Sequence, residues 1–239
     1  MNTPNMNTPE NTTPSQRPPI HPDERFLLRT MESAPHPLAI VEALLKYPGR
    51  ILHELRANRA TAVCVGLLLV AAPCFALYGV VVGSLSGGEQ LWLAPAKILI
   101  GSALCALICL PSLFIFLCLG GADVKLRCVA GELLASVALT SLLLIGFAPV
   151  AWVFSQSTNS IALMATLHLI FWAIAIGFGL RLIGRTGGSR TSRVWIGIYV
   201  VVCLQMMTAL RPIVGRSDTF LPAEKKFFLA HAIETVAEK

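Results

Sequence analysis

Few side chains in this 239-residue chain carry chemistry, and most of them sit at the margins of long apolar runs. Two polar residues lie deep. His168 is eight residues into one run, and Gln205 is sixth from the far end of another when Leu210 is counted as first. An imidazole exchanges a proton near neutral pH, and an ionisable group inside a membrane is by default a proton or substrate site. Counted from one face of a bilayer, the two residues differ in depth by about 3 Å at the helical rise. They are therefore expected to meet across a helix interface. The favoured reading is a structural hydrogen bond, worth about 0.6 kcal/mol and at most ~2; a proton or substrate site is the alternative.

Of the seven cysteines, Cys105 and Cys109 are four apart and share one face of a helix. Two thiols so placed read either as a soft-metal pair or, preferably, as small packing residues. No CxxC and no Cys/His cluster has zinc spacing. HExxH, GxSxG and GxxxxGK[ST] are missing from the sequence, and no apolar run holds paired carboxylates. The expectation is no catalytic residue, no cofactor and no metal.

Arginines supply the remaining candidates. Pro212 disfavours helical geometry at Arg211 and has no N–H of its own, so a helix should end or kink there. The freed carbonyls, an outer carboxylate such as Glu89 or Asp218, or a lipid phosphate could take the five guanidinium donors. Otherwise Arg211 is a snorkelling end-marker. The loop Arg185-Thr-Gly-Gly-Ser-Arg190-Thr-Ser-Arg193 reads as a lipid-phosphate cradle or simply as a cytoplasmic charge signal.

The elements that must position these residues follow from composition. Apolar types make up 55% and charged types 13%, against a usual charged share of ~25%. Too few charges remain to coat a water-facing surface. The fold class expected is all-α, a polytopic integral membrane helix bundle. A bilayer core about 30 Å thick needs ~20 apolar helical residues. Five blocks satisfy this: 60–82, 98–119, 133–154, 161–180 and 194–214. They are apolar on all sides, which excludes the alternating pattern of a barrel. Pro73, Pro111 and Pro149 fall inside three of them and are tolerated as kinks. Lys97, Glu132, Arg181 and Arg193 are placed at span edges, where long side chains snorkel to headgroups.

Orientation follows from Lys and Arg near the spans. Lys46, Arg50, Arg56, Arg59, Lys125, Arg127, Arg181, Arg185, Arg190 and Arg193 fall on one side, and only Lys97 on the other. The ten belong in the cytoplasm, so the N-terminus is expected inside and the C-terminus outside a bacterial inner membrane. Residues 1–35 are read as a disordered, Pro/Asn/Thr-rich cytoplasmic tail; six of the fifteen prolines lie in its first 22 residues. The first span is expected to act as an uncleaved insertion signal. Residues 36–59 are read as amphipathic interfacial helices, lying in the inner headgroup layer or docked on the protein's own spans, with Leu38, Val41, Leu44 and Leu45 on one stripe and Ile51, Leu52 and Leu55 on the next, divided at Pro48-Gly49. Residues 215–239 are read as an outer tail with a short amphipathic helix.

The stretch Lys97–Phe114 and the later Gln205-Met-Met-Thr-Ala-Leu-Arg-Pro-Ile-Val-Gly215 carry a resemblance. The second resembles the QM…LRP[FI][IV]G signature of a family of uncharacterised bacterial five-span membrane proteins, some labelled actin-binding after a WASP-homology domain. Leu44-Leu45-Lys46-Tyr47 is only a faint echo of an actin-binding LKK[TV] tail. The layout is similar to the Yip family of five-span proteins, with a cytoplasmic N-terminal region and an amphipathic lead-in, LLKYPGRILHELR. The resemblance implies membrane organisation or trafficking-type partner binding, with no catalytic residues to carry over.

The expected function is a non-enzymatic integral membrane scaffold or partner-binding protein. A small transporter or channel subunit is the alternative, and a membrane-embedded lipid-acting enzyme the second. Expected partners are anionic headgroups at the cytoplasmic face, which suit the net charge of +6, and a membrane-protein partner or second copy. No nucleic-acid module is present in the sequence.

Overall fold

The computed structural model describes residues 36–56, 60–84, 87–158, 160–183 and 189–209. These residues form seven helices and, among them, no strand: α1 (Pro37–Lys46), α2 (Pro48–Arg56), α3 (Ala60–Ser84), α4 (Gln90–Leu119), α5 (Leu126–Ser157), α6 (Ile161–Leu180) and α7 (Ser189–Ala209). The tails expected at 1–35 and 215–239 lie outside the described residues.

Four of the helices, α3 to α6, are long and apolar enough to cross a membrane. The 25 residues of α3 rise about 37 Å and the 20 of α6 about 30 Å, matching a hydrocarbon core of ~30 Å. Two helices outrun the expected spans. α4 begins at Gln90 rather than near residue 98, and α5 runs from Leu126 to Ser157 rather than over 133–154. Lysine and glutamate had marked the expected starts, but both lie within regular helix. The fifth expected span is only partly described: α7 has a 15-residue apolar stretch, Arg193–Met207.

The bundle is built around α3, which packs along both α5 and α4. α6 lies against α5, and α7 lies against α4. Among the described residues α6 and α7 share no extensive interface. One apolar core joins α1 to α6 through residues such as Ile40, Ile51, Leu67, Ile98, Leu144 and Phe171. A second joins α4, α5, α6 and α7 through Leu113, Val129, Leu180, Trp195 and Tyr199.

Prolines at 73, 95, 111 and 149 all lie inside helices, as neighbouring helices permit in a bundle. Gly79 fits against the backbone of Pro95, so close that a Cβ at position 79 would overlap the Pro95 Cα. α4 ends in a Schellman motif. Gly121 takes φ 81°, its N–H donates to Cys118 O at 3.0 Å, and the Ala122 N–H donates to Leu117 O at 3.1 Å.

Candidate functional site

The lead-in helices dock on the bundle. In α1 the docked face is Ile40, Ala43 and Leu44, while Leu38 and Leu45 of the expected stripe stay exposed. The difference arises because α1 turns its i, i+3, i+4 face toward α3 and α5. In α2 the expected stripe Ile51, Leu52 and Leu55 is the buried one. The α2–α5 seam is specific. Leu55 packs on Gly131, where a side chain would overlap it. The Cys128 thiol donates to Leu55 O at 3.5 Å, and Arg56 Nη2 donates to Glu132 Oε1 at 3.4 Å. Glu132 is 1% exposed. Glu132 is therefore buried in the α2–α5 seam rather than snorkelling to headgroups, with Arg56 of α2 beside it as a countercharge. Lys97 is corrected likewise: it is fully buried in α4, not snorkelling at a span edge. Arg50 of α2 has three buried guanidinium nitrogens without a hydrogen-bond partner.

His168 finds its partner on α3. The Tyr78 hydroxyl and His168 Nδ1 share a buried hydrogen bond of 2.8 Å, with the rings edge to face at 5.6 Å. His168 Nε2 is buried and has no hydrogen-bond partner. One turn away Phe75 of α3 stacks on Trp172 of α6 at 6.1 Å, so aromatic side chains tie α3 to α6. The expected meeting of His168 with Gln205 is thus overturned. Gln205 is half-buried on α7, and α7 packs on α4. Between α6 and α7 there is instead an apolar cavity of about 460 Å³, lined by Trp172, Ala173, Gly177 and Arg181 of α6 and by residues of α7 including Ile196 and Met207.

The thiols extend further than the spacing indicated. Cys105 Sγ lies 3.2 Å from Cys203 Sγ of α7, and Cys109 is buried beside them in the second core. All seven cysteines are free. Among the described residues, no three His, Cys, Asp or Glu side chains are grouped to hold a metal ion. Trp195 of α7 is buried and donates from Nε1 to Ser112 Oγ of α4 at 3.0 Å, fixing α7 on α4 at a second point.

Of the basic candidates, Arg193 is exposed near the start of α7. Arg190 lies in the first turn of α7, its side chain outside the described residues, as are Arg185, Arg211 and Pro212 altogether. Arg181 is exposed at the end of α6, its guanidinium 4.8 Å over the Phe178 ring. No protein-family model matches the chain, and neither a curated protein nor a solved structure matches it.

Proposed function

We propose that the chain is a non-enzymatic scaffold or partner-binding protein of a bacterial inner membrane, with five spans, a cytoplasmic N-terminus and an outer C-terminus. The observation that carries this reading is the docking of α1 and α2 on α3 and α5, with the Arg56–Glu132 contact at its end. A buried carboxylate at the start of a membrane helix is spent on holding a lead-in element in place. Whatever precedes Pro37 is then presented from a fixed position at the membrane face, as a recruiting platform requires. The resemblance of Gln205–Gly215 to a five-span family implies the same class of role, and the arginines at the α2 and α6 ends support the cytoplasmic N-terminus.

A second reading, a small transporter subunit, draws on the Tyr78–His168 pair and its unpartnered Nε2. The experiment compares the two in one preparation. Photo-crosslinking residues are placed at exposed apolar positions of α4, Leu107 and Ile115, in cells, and the purified chain is assayed for proton flux and solute uptake in liposomes. The scaffold reading expects one discrete cross-linked membrane-protein species, a partner or a second copy, and no flux. Flux that His168→Ala abolishes establishes the transporter instead, and conversion of added phospholipid establishes a lipid-acting enzyme.

A further inference from the structure

The cavity between α6 and α7 has the dimensions of one lipid chain. On α7 its lining runs from Ile196 to Met207, about 16 Å at 1.5 Å per residue, or one leaflet of a ~30 Å core. A helix, ~10 Å across, would lie over the mouth of this groove with only side chains entering it, whereas an extended chain can occupy its length. The hollow is made by two small residues one turn apart, Ala173 and Gly177, and a Cβ added at Gly177 would meet nothing within 4 Å. Leu169 and Val200 line the cavity and are themselves exposed, so it opens toward the lipid.

Charge distinguishes its two ends. At the end where α6 stops, the lining includes Arg181, exposed and seated over Phe178. The exposed Arg193 lies near the start of α7, whose N-terminal end carries the positive pole of the helix. At the other end the lining is Leu169 and Met207. A ligand that is apolar along one leaflet and anionic at the headgroup level matches this polarity.

We propose that the α6–α7 groove is a specific site for one acyl chain of an anionic phospholipid, with Arg181 at its phosphate. The site rests on the membrane-spanning reading alone; detection of flux or enzymatic turnover leaves it standing.

The full chain in mild detergent is titrated with equal phosphatidylglycerol and phosphatidylethanolamine and examined by native mass spectrometry. The expected result is one retained phosphatidylglycerol per chain, preferred about fivefold, the preference one arginine confers at a membrane surface. Gly177→Phe fills the hollow and is expected to weaken retention of both lipids at least tenfold, several methylenes of chain burial being displaced. Arg181→Gln leaves the hollow intact and is expected to retain lipid while losing the headgroup preference. Melting temperature is recorded alongside, so that an unfolded Gly177→Phe is recognised and the Arg181→Gln arm decides. A parent that retains no phospholipid, because its own tail or a second copy fills the groove, overturns the proposal. So does a headgroup preference that survives Arg181→Gln.

Discussion

Tyr78 on α3 and His168 on α6 meet through a 2.8 Å hydrogen bond in the apolar interior, ninety residues apart in the chain. In either tautomer one polar atom of the imidazole remains unsatisfied at Nε2, so the pair fixes α6 against α3 without being fully satisfied itself. Within a membrane such a bond contributes about 0.6 kcal/mol, reaching ~2 at most. Tyr78→Phe, His168→Leu and the double variant, unfolded in detergent, should therefore show a coupling energy in that range. Strict additivity within about 0.3 kcal/mol would mean that the two side chains pack side by side without bonding.

The seam between α2 and α5 predicts an asymmetry. Arg56 is half exposed and Glu132 is buried. Removing Glu132 lets the guanidinium return to water, whereas removing Arg56 strips a countercharge from a carboxylate that stays buried. Arg56→Ala is expected to lower stability by about 1–3 kcal/mol and to raise amide exchange across α2. Glu132→Leu should cost about 1 kcal/mol or less, because well-packed apolar replacements of buried ions are often neutral. Equal losses from the two variants would mean that Arg56 is not the group that compensates the buried Glu132 carboxylate.

The spans were legible because apolarity is a local property: 20 residues without a charge declare themselves one at a time. What each helix faces was not. α3, α4, α5 and α6 are apolar on every side, so no stripe records which side turns inward. The pairs Tyr78–His168 and Cys105–Cys203, separated by 90 and 98 residues, are products of packing alone. A sequence search for His–Tyr or Cys–Cys pairs at equal computed depth could have proposed both. Lys97 and Glu132 misled in a different way. Charge next to an apolar run resembles a span edge, yet both helices continue past the charge and neighbouring elements bury it. The α2 stripe Ile51, Leu52 and Leu55 was readable because α2 is amphipathic, with one face against the bundle.

Two glycines separate close approach from open space. At Gly79 an added methyl would overlap the Pro95 backbone, where no side-chain rotation relieves it. Gly79→Ala should force α3 and α4 apart and destabilise by about 1–3 kcal/mol, the usual range for overpacking. At Gly146 a Cβ meets nothing within 4 Å, so Gly146→Ala should be neutral or stabilise by up to about 1 kcal/mol. Thermal melting of the two variants in one detergent checks the contrast. A tolerated Gly79→Ala would show that α3 and α4 are farther apart than this packing requires.

The count of spans rests on α7. Its described apolar stretch, Arg193–Met207, is 15 residues long and rises about 22 Å, short of a ~30 Å core. If the apolar sequence that follows continues the run to residue 214, its 22 residues would span about 33 Å. The basic start of α7, with Arg190 and Arg193, should remain in the cytoplasm, so a complete crossing carries the C-terminus outside. Alkaline phosphatase fused after Lys239 is then expected to be active and green fluorescent protein at the same site dark. A second pair of fusions after Asp123, in the α4–α5 connection beside Lys125 and Arg127, should give the opposite result. A fluorescent fusion at Lys239 combined with a fluorescent fusion at Asp123 would reduce the bundle to four spans. α7 would then lie against α4 without crossing, held there by the Trp195–Ser112 bond.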